Sequence, residues 1–171
     1  MDNSQKQDLK NASTLYQKIL DLLSFLLLAG MFVFLLVYWD RIPDKIPTHY
    51  GFSGAADGFG PKGTLLLLPI IGVLLYLLLV FVSKFPSLWN LPVKLTPFNK
   101  IWVYANVKSL LSTMKLLIMI VYAQLTVCSA MEKNVGFFPL FVIAAVFAVL
   151  FYFIRRMKKI PPENPEDYDC F

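Results

Sequence analysis

The residue types that could support acid–base or metal chemistry gather in one short stretch, residues 40–63. His49 is the only histidine in the 171-residue chain, and Asp44 and Asp57 flank it. An imidazole beside a carboxylate can move a proton or begin a metal site. Metal sites usually need three or four ligands with supporting hydrogen bonds, however, and this stretch supplies one histidine and a few aspartates.

The alternative role for His49 is structural. Its ring can hydrogen-bond to the loop backbone and fix a turn, or contact a partner, without further ligands. A catalytic serine would need a base at a recognisable spacing, and Ser53 has none in the sequence. We favour the structural or partner-contact role over a metal or acid–base pair with Asp44 or Asp57. We therefore expect no catalytic residue, no metal, no cofactor and no enzymatic activity.

The composition indicates that these residues belong to a membrane protein. Hydrophobic residues make up 57% of the chain and charged residues 16%, with fifteen Phe and eight Tyr. A soluble domain of this size could not bury that much apolar surface, whereas a lipid bilayer accepts it. The net charge of +5 lies in short patches between apolar runs rather than on one surface, so we expect no nucleic-acid partner.

Four apolar runs are close to the ~20 residues needed to cross a bilayer. They lie at residues 19–39, 64–82, 109–131 and 137–154. The first exceeds the ~7–15 residues of a signal-peptide core and lacks a small-residue cleavage site, so it reads as an uncleaved anchor. The sequence predicts an all-α membrane protein, a four-transmembrane-helix bundle with a compact extracytoplasmic loop between helices 1 and 2.

The distribution of Lys and Arg predicts the orientation, because cytoplasmic segments carry the excess. One side has eleven and the other has four. The eleven are Lys6, Lys10, Lys18, Lys84, Lys94, Lys100, Lys108, Arg155, Arg156, Lys158 and Lys159. The four are Arg41, Lys45, Lys62 and Lys133. We therefore expect a multi-pass membrane protein with both termini in the cytoplasm.

This orientation divides the chain into five parts. Residues 1–18 are a cytoplasmic N-terminal segment, and residues 19–83 hold helices 1 and 2 with the outward loop at 40–63. Residues 84–108 form a cytoplasmic Pro-rich loop and a helix start, and residues 109–154 hold helices 3 and 4. Residues 155–171 are expected to be a disordered cytoplasmic tail, being rich in Pro and acidic residues after Lys159.

The outward loop has the composition of a specific folded structure rather than of a flexible linker. Five of the eight glycines lie between Gly51 and Gly63, where they permit backbone conformations closed to other residues. Pro43 and Pro47 favour an extended backbone, and Asp57-Gly58 is a turn signal. The loop also carries several large apolar side chains, namely Ile42, Ile46, Tyr50, Phe52 and Phe59.

This loop resembles the DUF1648 family, whose signature is similar to P-D-x-I-P-x-H-[aromatic]-x-x-x-G-x-x-D-x-[aromatic]-G-x-K. The matching residues are Pro43, Asp44, Ile46, Pro47, His49, Tyr50, Gly54, Asp57, Phe59, Gly60 and Lys62. The resemblance extends over about residues 39–115. It identifies these eleven residues as a candidate binding motif, with Gly51 standing where relatives often carry Asn.

One branch of the family comprises immunity membrane proteins of the Sdp type. They protect a bacterial cell from its own secreted toxin and relay the toxin's presence by holding a repressor at the membrane. The resemblance therefore implies a binding, immunity or signalling protein of a bacterial cell membrane, whose outward loop contacts a peptide toxin or a membrane protein. The immunity proteins have more helices than the four predicted here. An accessory subunit is the alternative, ahead of a small oligomeric transporter or a membrane enzyme.

Two ionisable residues lie inside the apolar runs. Asp21 and Lys115 are placed near the cytoplasmic ends of helices 1 and 3, and we predict that they form an ion pair between these helices. Lys100, Lys108 and Lys115 share one face of a helix that starts near Thr96-Pro97. At the other end of helix 3, small and hydroxyl residues including Ser129 are expected to serve helix packing.

Overall fold

The computed structural model describes residues 3–159. Five helices and one two-stranded sheet make up its regular structure. In chain order these are α1 (Asn3–Asn11), α2 (Leu15–Tyr38), β1 (Lys45–Tyr50), β2 (Ala56–Pro61), α3 (Leu67–Lys84), α4 (Lys100–Ala130) and α5 (Phe138–Lys158). Short 3₁₀ turns occupy Trp39–Arg41, Lys62–Leu66 and Pro86–Leu88.

Four helical segments within residues 3–159 are long and apolar enough to cross a membrane. They run over Leu15–Arg41, Lys62–Lys84, Lys100–Ala130 and Phe138–Lys158. Their outward faces carry exposed Leu, Val, Ile and Phe side chains. Exposure of this apolar surface to water is unfavourable, whereas its contact with lipid chains is not. These observations indicate a multi-pass membrane protein, as the four apolar runs predict.

Helix α4 organises the bundle. It packs against α2, α3 and α5, and its side chains supply buried contacts along its full length. Met119 is fully buried against Leu28 and Met31 of α2. Gly72 of α3 allows a close approach at the same level, because a Cβ there would lie 3.3 Å from Leu28 Cδ1.

The predicted helix starts need two corrections. Helix α2 begins at Leu15, four residues before the predicted start, because Thr14 and Gln17 form a reciprocal cap across the first turn. Helix α4 begins at Lys100 rather than near Pro97. The predicted Thr96 cap is nevertheless present. The Thr96 hydroxyl accepts a bond from the Asn99 backbone N–H, and the Asn99 side chain accepts one from the Thr96 backbone N–H, so the pair shapes the turn that leads into α4.

The N-terminal segment contains a helix of its own, α1, which packs against α4. Leu9 and Ala12 are buried with Tyr104, and Trp89 packs on the same cluster. The prediction of a disordered tail is wrong for residues 155–158, because helix α5 continues as far as Lys158. Residues 160–171 lie outside the described part of the chain.

The prediction of an all-α fold is wrong in the segment between α2 and α3. Strands β1 and β2 pair antiparallel there and form a hairpin. The Asp57-Gly58 turn prediction is also wrong, because both residues lie inside β2. Residues 51–55 make the turn instead, with the Gly51 N–H donating to the Ala55 carbonyl at 2.9 Å.

Candidate functional site at the hairpin end of the bundle

All eleven residues of the predicted motif lie in or beside the hairpin. Register pairs such as Ile46 with Gly60 and Pro47 with Phe59 align the two halves of the motif across the strands. Irregular pairing on both sides of His49 marks a local break in the ladder, and such breaks re-aim side chains. The motif is therefore one folded unit.

The motif glycine Gly60 is needed for close contact between the strands. A Cβ on Gly60 would lie 2.9 Å from Cγ2 of Thr48. The neighbouring Gly58 is similar, since a Cβ there would lie 2.9 Å from the His49 Cβ. Larger residues would push β1 and β2 apart.

The base of the hairpin is closed by Asp44 and Lys62. The Lys62 N–H donates to the Asp44 carbonyl at 2.9 Å, and the Lys62 ammonium lies 3.3 Å from Asp44 Oδ1. The same ammonium lies 5.5 Å from the centre of the Trp39 ring, within cation–π range. The motif residues Asp44 and Lys62 thus hold the two strands at the point where they leave the helices.

The root of the hairpin is packed into the helix ends. Ile46 is buried with Leu35, Ile42, Leu65 and Ala130, so one β1 side chain contacts residues from the surrounding helical elements. Pro47 is also fully buried. These contacts fix the orientation of the hairpin on the bundle.

Ser129 of α4 ties the hairpin to the central helix. Its hydroxyl donates to the Pro47 carbonyl at 2.9 Å and lies 3.1 Å from the Tyr50 hydroxyl. Burial raises the pKa of the Tyr50 hydroxyl, and the Ser129 bond opposes that rise. Tyr50 therefore keeps its proton at neutral pH and remains able to share this bond.

The tip of the hairpin docks on the turn between α4 and α5. Gly54 has a φ of +76°, and a Cβ on it would lie 2.1 Å from the Gly136 carbonyl oxygen. The Val135 N–H donates to the Gly54 carbonyl at 2.9 Å, and the Ala56 N–H donates to the Asn134 side chain. A glycine is required at position 54 by both conformation and space.

His49 and Asp57 form an exposed pair across the hairpin. His49 Nδ1 lies 2.5 Å from Asp57 Oδ1, with both side chains more than half exposed. Within residues 3–159 no cluster of three His, Cys, Asp or Glu side chains is placed to hold a metal ion. The pair links β1 to β2 and places two polar side chains at the surface.

Two aromatic rings project from this rigid hairpin. Phe52 in the turn is 85% exposed and Phe59 in β2 is 53% exposed. Exposed aromatic residues on a fixed backbone are typical anchors of protein interfaces. Only Phe59 belongs to the predicted motif, whereas the sequence indicates Phe52 only as one of the large apolar residues of the loop.

A cleft of about 940 Å³ lies beneath the hairpin. The hairpin forms its roof and the near ends of α3, α4 and α5 form its walls. The residues of these helices that line it are Leu67, Leu68, Ile71, Leu125, Ser129, Pro139 and Leu140. Thr64 and Leu65 of the 3₁₀ turn before α3 also line it. This volume falls in the usual range of ligand pockets, about 300–1,000 Å³.

At the opposite end of the bundle the structure brings Asp21 and Lys115 together. Lys115 Nζ lies 2.9 Å from Asp21 Oδ1. The other two lysines of the predicted shared face contact α1 and its C-terminal turn. Lys100 lies 2.5 Å from Asp8, and Lys108 donates to the Leu9 carbonyl at 3.0 Å and to Ser13.

Several residues that build this site were not predicted. The sequence predicts only a helix-packing role for Ser129, yet its hydroxyl donates a hydrogen bond to the hairpin. The turn residues Asn134, Val135 and Gly136 received no role. Gly136, with its φ of +60°, was a detectable turn signal in the sequence, but its contact with Gly54 depends on long-range packing.

Comparison with known proteins supports the resemblance. Residues 26–73 match the family model DUF1648, a domain of unknown function. This part of the chain is similar to the DUF1648 domain. The match is shifted from the expected 39–115, because it takes in most of α2 and ends within α3. The matched region therefore contains the whole hairpin together with the adjoining parts of α2 and α3.

A relative of similar sequence is an uncharacterized protein of Archaeoglobus fulgidus. It is 30% identical over 78 residues, which cover 41% of this chain and 43% of the relative. The aligned region thus spans less than half of the relative's length. No solved structure matches the chain.

Proposed function

We propose that this chain is a membrane-embedded binding protein of the immunity or signalling type. Its hairpin faces the outside of a bacterial cell membrane, both termini face the cytoplasm, and the hairpin contacts a peptide or protein partner. The observation that carries the proposal is the rigid hairpin that presents the exposed Phe52 ring.

The rigidity of the hairpin favours binding. Bonds from Ser129 and Val135 hold its root and its tip, so little conformational entropy remains to be lost when a partner docks. A linker between two helices would need neither bond. The exposed His49–Asp57 pair beside the aromatic rings adds polar groups that can give specificity.

An accessory subunit of a membrane complex is the second candidate. The same exposed hairpin would then contact a resident subunit rather than an incoming peptide. The two functions differ in when the contact exists, because a subunit is bound at all times and a toxin is bound only when it is secreted.

Photo-cross-linking from position 52 tests the proposal. A photoreactive phenylalanine analogue replaces Phe52, and cells are irradiated with and without concentrated culture supernatant from the same organism. We expect a cross-link to a peptide that depends on the supernatant. A constant cross-link to a membrane protein would instead favour the accessory subunit. If no cross-link forms with or without supernatant, both candidate functions are contradicted.

Phe147 provides the matched control. It is 66% exposed on α5, away from the hairpin, so the same analogue there should give no supernatant-dependent product. Disruption of the gene supplies the physiological arm. Immunity requires that the disrupted strain becomes sensitive to the parent's supernatant and that wild type restores resistance, whereas Phe52→Ala does not. Unchanged sensitivity would exclude the immunity role.

A further inference from the structure

The cleft beneath the hairpin has its walls in the membrane-crossing part of the protein. Helices α3 and α5 both pack on α4, and residues from all three line the cleft. The space between α3 and α5 is therefore bounded on its inner side by α4. Its outer side faces the hydrocarbon layer of the leaflet nearest the hairpin.

The walls and the roof of the cleft differ in chemistry. Leu67, Leu68, Ile71, Leu125 and Leu140 make the walls apolar. Water does not fill such a space readily, because it finds no hydrogen-bond partners there. The polar side chains of the lining lie at or near the roof. They are Thr48, His49 and Tyr50 of β1, with Thr64 before α3 and Ser129 near the end of α4.

We propose that this cleft binds one acyl chain of a membrane phospholipid, which enters between α3 and α5 with its headgroup beside the hairpin. The proposal goes beyond the partner contact at Phe52 and does not depend on it. Lipid chains are the apolar molecules present at the mouth of the cleft, and their polar ends lie at the depth of its polar roof.

The size of the cleft favours a flexible chain over a folded peptide. An α-helix about 10 Å in diameter occupies roughly 420 Å³ per 5.4 Å turn. A cleft of about 940 Å³ would then hold only roughly two helical turns. An acyl chain can follow the irregular space between hairpin and helices, and no Asp, Glu, Lys or Arg in the lining would oppose it.

Lipid retention by the purified full chain tests this proposal. The protein is reconstituted in vesicles of phosphatidylcholine and phosphatidylglycerol, extracted in mild detergent, and weighed by native mass spectrometry. We expect one phospholipid to stay bound to the wild type. Ile71→Trp should fill the cleft and abolish retention, because Ile71 lines it.

The neighbouring Ile70 is a matched control for Ile71. The two isoleucines are 49% and 40% exposed respectively, but Ile70 is absent from the cleft lining, so Ile70→Trp should retain the lipid. Equal retention by both variants would overturn the proposal. So would a wild type that keeps no lipid.

A second measurement uses the wild type alone and so does not depend on a variant folding. A phospholipid with a diazirine at the end of one acyl chain is retained through purification and then irradiated. Adducts should fall on Leu67, Ile71 and Leu140. Adducts spread over outward residues such as Leu74 and Phe147 would mean surface lipid only. That result would overturn the lipid site. If the photoreactive analogue at position 52 still gave the expected cross-link, the proposed function would stand.

Discussion

Lys115 is almost wholly buried, whereas its partner Asp21 is nearly half exposed. The Lys115 side chain is 2% exposed and that of Asp21 is 44% exposed, with 2.9 Å between Nζ and Oδ1. The Lys115 ammonium also lies 5.0 Å from the centre of the Tyr76 ring. The ion pair is therefore asymmetric, because only the lysine depends on its partner to replace lost solvation.

This asymmetry predicts unequal effects of removing either charge. Asp21→Asn should destabilise the protein by about 3 kcal/mol, because it leaves a buried ammonium uncompensated. Lys115→Met should cost less than about 1 kcal/mol, since the side chain stays apolar and of similar length and Asp21, near the start of α2, can turn toward the membrane surface. The double variant should recover most of the Asp21→Asn loss. Denaturant unfolding in mixed micelles measures all three, and equal losses for the two single variants would contradict the account.

Gly54 is the position at which the hairpin is most sensitive to substitution. Gly54→Ala should destabilise the protein by more than about 2 kcal/mol, because its positive φ and the clash with Gly136 both oppose a side chain. Gly63 is the control, since a Cβ there meets nothing within 4 Å, and Gly63→Ala should change stability by less than about 0.5 kcal/mol. Thermal unfolding of both variants provides the comparison, and similar melting temperatures would argue against the docked tip.

Ser129 should control the local stability of β1. Ser129→Ala removes two bonds at once, to the Pro47 carbonyl and to the Tyr50 hydroxyl, and should cost about 1–3 kcal/mol. Tyr50→Phe removes only the bond between two hydroxyls and should cost about 0.5–1.5 kcal/mol. Hydrogen exchange of the hairpin amides reports both effects. Faster exchange in Tyr50→Phe than in Ser129→Ala would reverse the predicted order.

Lys108 should hold α1 against the bundle. Lys108→Ala removes its bonds to the Leu9 carbonyl and Ser13, so the amides of α1 should exchange at least several-fold faster. Lys10→Ala is a suitable control, because Lys10 is an exposed residue of α1 itself. Its exchange should stay close to that of the wild type. Unchanged protection of α1 in Lys108→Ala would show that the Leu9 and Ala12 packing alone is sufficient.

The sequence predicted the helical spans well because each depends on a local property. The length and composition of an apolar run are enough to identify a helix that can cross a membrane. The proximity of Asp21 and Lys115 could be predicted because the two charges lie in such runs at similar depths. The helix starts were less accurate. The Thr14–Gln17 cap extended α2 into a segment whose polar composition had suggested a simple cytoplasmic extension.

The hairpin could be predicted only in part. Its glycines, prolines and aromatic residues indicated a folded loop, but the position of the turn could not be found from them. Asp57-Gly58 has the composition of a tight turn, yet tertiary contacts place it inside β2. The anchoring by Ser129 and Gly136 joins residues about eighty positions apart, and a single sequence carries no signal for such contacts.

The side of the membrane that displays the hairpin is the central claim, and cysteine labelling in intact cells tests it most directly. Ala55→Cys in the hairpin turn and Lys10→Cys in α1 are introduced one at a time after the two native cysteines, Cys128 and Cys170, are replaced. A membrane-impermeant maleimide should label position 55 in intact cells and position 10 only after permeabilisation. Labelling of both positions from the same side, or of position 10 alone in intact cells, would contradict the account.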